Sequence, residues 1–85
     1  MITLKTREIV GCNVKIRREQ LLWTVEGLSE KIGMGWQTVD RIEKGFGTSL
    51  TTIDKLAKAL NCSIQDLFGE VNIEEIEQSE EENGR

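Results

Sequence analysis

Gln37 and Arg41 stand four residues apart in the segment WQTVDRIEK, residues 36–44. At that spacing an amide and a guanidinium lie on one side of a helix, one turn apart. Each can form two parallel hydrogen bonds to a purine edge in the major groove of a duplex, glutamine with adenine and arginine with guanine. Trp36 and Asp40 share the outward side. The Trp36 indole has two readings: packing on a thymine methyl or the sugar-phosphate backbone, or burial in the fold or a protein interface. The bland reading of the whole set is a solvated helix face. Just beyond, Lys44 and the loop residues Gly47 and Thr48 offer an ammonium, an open backbone N–H and a hydroxyl, a combination that suits phosphates. The alternative is that these are only loop and cap residues, with Ser49 as a cap in either case. Catalytic chemistry finds nothing to work with. There is no histidine, and Cys12 and Cys62 have no metal-ligand spacing, so no catalytic group, metal or cofactor is expected.

The elements that must position these side chains are legible as two short amphipathic helices. Thr24 can cap the first, whose inward face is Val25, Leu28 and Ile32, and Gly33 can end it in a left-handed conformation. After Met34 and Gly35 a second helix over 36–44 turns Val39 and Ile42 inward, with Gly45 as its stop. Helices this short cannot bury both faces. In a helix-turn-helix the second helix gives its outer face to the major groove. Around this pair the pattern predicts a helix over 7–22 with Val10, Val14, Leu21 and Ile9 inward, and Trp23 as core at the bend. A fourth helix follows Ser49, burying Leu50, Ile53, Leu56, Ala57 and Leu60 before Asn61 ends it. Ser63 and Asp66 form a capping box opening a short fifth helix with Ile64, Leu67 and Phe68 inward. The fold class is therefore all-α. Residues 1–6 read as an arm, 7–68 as the helical domain and 69–85 as an acidic tail, in part disordered or a short helical extension.

In this order the motifs resemble the lambda-repressor-like, or Cro and Xre, family of helix-turn-helix domains. The resemblance rests on Val10-Gly11 with Arg18, the stretch Leu28 to Gly33, Thr38 to Gly45, Ser49 to Leu60, and the closing Ser63 to Phe68. It implies a compact five-helix bundle reading DNA with helix 36–44 through Trp36, Gln37, Asp40 and Arg41. It implies phosphate contacts from Lys44, Gly47, Thr48 and the amino end of the first central helix at Val25. It also implies an ion pair between Arg18 and Glu43 that clamps the first helix to the reading helix. Removing one member of such a pair, if buried, costs about 3–5 kcal/mol. The departures are specific: Val25 stands where the family favours glutamine, Ser29 where it favours alanine, and Gly35 where it favours serine. The chain has no proline.

Charge divides along the chain. The formal net is −4, yet residues 1–68 hold ten Lys/Arg against eight Asp/Glu, a net of +2. Residues 69–85 hold seven Glu against Arg85, a net of −6. The helical part is only mildly basic, a weaker footprint than a strong monomeric binder of a double-stranded DNA operator would carry, but compatible with a homodimer, which doubles the contacts. The tail is either a solvating extension or an anionic segment that weakens non-specific DNA binding or docks a protein partner. No secretory or membrane-spanning pattern is visible, so a cytoplasmic location is expected, with the two cysteines as thiols rather than a disulfide. The expectation is a sequence-specific transcription regulator, repressor-like, on a palindromic operator. The rival from another class is a protein-interaction module, antitoxin-like or scaffold, with weakened DNA contacts.

Overall fold

Helix α1 (Thr6–Gln20) opens where the Glu8 carboxylate accepts a hydrogen bond from the Lys5 backbone N–H at 2.8 Å. The computed structural model describes residues 4–69. Four helices follow: α2 (Val25–Ile32), α3 (Trp36–Glu43), α4 (Leu50–Ala59) and α5 (Ile64–Phe68). Side chains start most of them. Thr24 Oγ1 accepts from Gly27 N–H at 2.9 Å to cap α2, and Ser49 Oγ accepts from Thr52 N–H at 3.2 Å to cap α4. Ser63 and Asp66 exchange backbone-to-side-chain bonds at 2.9 and 3.1 Å to open α5. Hydrogen bonding from Ser63, its backbone N–H foremost, holds the Asp66 carboxyl below its ordinary range. Helix α3 alone begins at a glycine, Gly35, with no side chain to cap it.

Helices α1 to α4 end alike. In each, one left-handed residue follows the helix, and the next backbone N–H donates to a carbonyl five residues back. The left-handed residues are Leu22 (φ 62°), Gly33 (φ 71°), Gly45 (φ 96°) and Asn61 (φ 58°). The closing bonds run from Trp23 to Arg18 (3.1 Å), Met34 to Ser29 (3.0 Å), Phe46 to Arg41 (3.0 Å) and Cys62 to Ala57 (2.9 Å). Glycine and asparagine enter this conformation readily. Leucine does so against the contact between its Cβ and the following carbonyl oxygen.

The core gathers Val10 and Val14 from α1, Leu28 and Ile32 from α2, and Val39 and Ile42 from α3. Ile53, Leu56, Ala57, Leu60 and Leu67 complete it. Trp23, Val25, Met34 and Ile64 pack against it half-buried. Asn13, itself buried, fastens α5 to α1: its Nδ2 donates to the Leu67 carbonyl at 2.8 Å and the Gly69 carbonyl at 3.2 Å.

Several expectations are corrected. The first helix starts at Thr6, inside the expected arm, and stops at Gln20 rather than Leu22. The left-handed turn at Leu22 swings Leu21 out to 43% exposure, so Leu21 is not core. Helix α3 ends at Glu43, with Lys44 as its cap. Leu50, in the first turn of α4, is 68% exposed, and Phe68 at the end of α5 is 37% exposed. Both line a mostly apolar groove of about 260 Å³ with Phe46, Val10, Ile42 and Ile53, so they face a shared surface depression instead of the core. Residues 1–3 of the expected arm and the acidic tail from residue 70 lie outside the described residues. Among the described residues no helix is long and apolar enough to cross a membrane.

Candidate nucleic-acid interface

Helix α3 is fixed by its inward side. Val39 and Ile42 are buried, and α3 packs mainly against α1 and α2. Against α1 the approach is so close that a methyl group at Gly11 would overlap the Ile42 carbonyl oxygen and press on that of Glu43. Here glycine is required by space, since its backbone is ordinary helix. Arg18 locks the same crossing: its Nε and Nη2 donate to the two oxygens of Glu43 at 2.7 and 3.0 Å. Its Nη1 donates to the Trp23 carbonyl at 2.7 Å. The side chains of Arg18 and Glu43 are only 11% and 7% exposed. Hydrogen bonding to the Glu43 carboxylate raises the Arg18 pKa still further, so the charge is permanent. One guanidinium thus ties together α1, the α1–α2 turn and α3. Where α2 crosses, Ser29 is buried and satisfies its hydroxyl on the Val25 carbonyl at 2.8 Å, which lets a hydroxyl occupy a position suited to alanine.

The opposite face of α3 is open. Trp36 is half-exposed, and Gln37 and Arg41 are exposed. The Gln37 side chain folds back near Gly35. Asp40 is half-buried and pairs with Lys44, Nζ to Oδ2 at 2.9 Å. Arg41 lies over the Phe46 ring, its guanidinium carbon 4.4 Å from the ring centre. In the following loop Gly47 is exposed and Thr48 half-buried. Val25 occupies the first turn of α2 with its side chain half-buried against the core, so only its backbone N–H is a candidate donor to a phosphate. A shallow cleft of about 290 Å³ between α1, α2 and α3 is lined by Lys15, Val25, Asp40 and Lys44.

The structure therefore gathers Trp36, Gln37, Asp40 and Arg41 on one helix, with Lys44 at its carboxyl-terminal cap and Gly47 and Thr48 in the loop that follows. Sequence reasoning missed Phe46 as the partner of Arg41. A signal was available: an arginine, a left-handed glycine four residues on and an aromatic residue immediately after it form the closing turn that brings first and last together. It also missed Lys15 on α1, because that residue approaches α3 only through the helix crossing.

Comparison with known proteins follows the same lines. A family model described as the Cro/C1-type HTH DNA-binding domain matches residues 14–72. The fold is similar to that of a hypothetical transcription factor, NHTF, from Neisseria, with a TM-score of 0.74 and 22% identity over 92% of this chain and 99% of that one. It is also similar to the restriction-modification controller protein C.AhdI from Aeromonas hydrophila, with a TM-score of 0.69 and 28% identity over 73% and 96% of the two chains. An HTH_3 family transcriptional regulator from Vibrio cholerae gives a TM-score of 0.69 and 19% identity, over 74% of this chain and 36% of that longer one. No curated protein matches at comparable significance.

Proposed function

The chain belongs to the Cro/C1-type helix-turn-helix family of DNA-binding regulators, and on that premise we propose that it is a sequence-specific, repressor-like regulator that reads the major groove with α3. One observation carries this reading: the exposed face of a helix locked on its other side presents an amide and a guanidinium one turn apart. Gln37 and Arg41 read bases, Trp36 packs beside them, and Asp40 sets what the face rejects. Lys44, Gly47, Thr48 and the Val25 backbone N–H hold phosphates, which fix register without reading sequence. Two copies on a palindrome would set their recognition helices about 34–36 Å apart. A restriction-modification controller among the similar structures is consistent with such a role.

The protein-interaction reading has one observation in its favour: the Lys44 ammonium is already paired with Asp40 at 2.9 Å. Selection from a random-sequence duplex pool decides between them. The DNA reading expects a defined, two-fold-symmetric sequence to be enriched. On that duplex Arg41→Ala should weaken binding by about 1–3 kcal/mol and relax preference at one base pair. Equal weakening on enriched and scrambled duplexes would remove Arg41 from base reading, and no enrichment would favour the interaction module.

A further inference from the structure

Phe46 is 51% exposed, an unusual placement for a phenylalanine, and its ring carries the Arg41 guanidinium 4.4 Å from its centre. The backbone puts it there. Gly45, at φ 96°, turns the chain so that the Phe46 N–H reaches the Arg41 carbonyl at 3.0 Å and the Gly45 N–H reaches that of Ile42 at 3.0 Å. In this closing turn the residue after the left-handed position faces the one five earlier, and a hydrophobic pair commonly fills that contact. Here an aromatic ring meets an arginine at the outer face of α3. The Asp40 carboxylate one residue earlier is engaged by Lys44 at 2.9 Å. A guanidinium stacked by its face still has its N–H donors in plane around its edge, available to a bidentate acceptor.

We propose that Phe46 is a positioning residue for base recognition: it holds Arg41 in one conformation, with its donor edge clear, before DNA arrives. The role rests on the DNA-reading assignment of α3. An unrestrained arginine must lose rotamer freedom on docking, whereas a stacked one has lost part of it in the free protein. Loss of the ring should then weaken specific binding by about two- to tenfold, leaving electrostatic binding to arbitrary DNA unchanged.

The test uses the full chain and the variants Phe46→Leu, Phe46→Trp, Arg41→Ala and the Phe46→Leu/Arg41→Ala pair. The probes are the duplex most enriched by the unaltered chain and a scrambled duplex of equal length. Phe46→Leu should weaken the enriched duplex two- to tenfold, leave the scrambled one within experimental error, and broaden preference at the base pair that responds to Arg41→Ala. Phe46→Trp should restore both affinity and preference. The double variant should bind no more weakly than Arg41→Ala alone, because the ring acts through the arginine. Without DNA, ring-current shifts on the Arg41 side-chain protons should vanish in Phe46→Leu and return in Phe46→Trp, a readout that survives any change in stability. Additive losses, tighter binding by Phe46→Leu, or absence of the ring-current shifts would overturn the positioning role alone. Failure to enrich any duplex would overturn the DNA reading, and the positioning role with it.

Discussion

Single residues decide how this chain turns, and Leu22 does so under strain. It is 91% exposed and sits at φ 62°, where leucine's Cβ crowds the next carbonyl oxygen. Glycine has no such contact, although it gives up more backbone freedom on folding. The balance favours replacement: Leu22→Gly should stabilise the fold by about 0.5–1 kcal/mol and raise Tm by about 2–8 °C. Calorimetry on the free protein measures this directly, and a lower Tm would show that the exposed side chain makes a stabilising contact. The neighbouring Arg18 illustrates the opposite economy. Four residues before Leu22, it closes α1 through its backbone carbonyl and joins Trp23 and Glu43 through its guanidinium.

At the scale of elements, the crossing of α1 and α3 sets where the reading face points. Gly11→Ala tests it, because two effects oppose. In a helix interior, alanine is better than glycine by about 1 kcal/mol. At this position, however, the added methyl meets the Ile42 backbone oxygen, which cannot rotate away. Steric cost should win, with a net destabilisation of about 1–3 kcal/mol in urea titrations and a loss of duplex discrimination as α3 shifts. Stabilisation by Gly11→Ala would mean that the helices separate without penalty. Element identity was largely legible in the sequence, because caps at Thr24, Ser49 and Ser63 and left-handed stops at Gly33, Gly45 and Asn61 are local signals. The end of α1 was not legible, since leucine carries no preference for the left-handed region it adopts. Leu50 and Phe68 were misplaced for a related reason. Apolar periodicity marks a face but does not say whether that face meets the core or an open groove. The outward face of α3 was readable residue by residue, whereas the engagement of Arg41 by Phe46 was signalled only through the closing turn at Gly45, and that of Lys44 by Asp40 depends on side-chain reach.

For the molecule as a whole, charge is arranged lengthwise: +2 over residues 1–68 and −6 over residues 69–85. Glutamates tethered to a DNA-binding surface are repelled by phosphates, and binding to arbitrary sequence is mostly phosphate electrostatics. Deleting residues 70–85 should therefore raise affinity for scrambled duplex, with the gain shrinking as salt is raised, while Tm moves little. Filter binding across a salt series measures the first effect and calorimetry the second. If the deletion instead converts a dimer to a monomer and abolishes specific binding, the tail belongs to the subunit interface and the electrostatic account fails. The placement of the two tryptophans has an optical consequence. The chain contains no tyrosine, so its near-ultraviolet emission comes essentially from two indoles in contrasting surroundings. Trp23 packs against the core beneath the Lys31 ammonium, 4.4 Å from its ring centre, while Trp36 stands half-exposed at the start of α3. Replacing either one leaves a chain with a single fluorophore, one reporting on the integrity of the α1–α2 turn and the other on whatever approaches the outer face of α3.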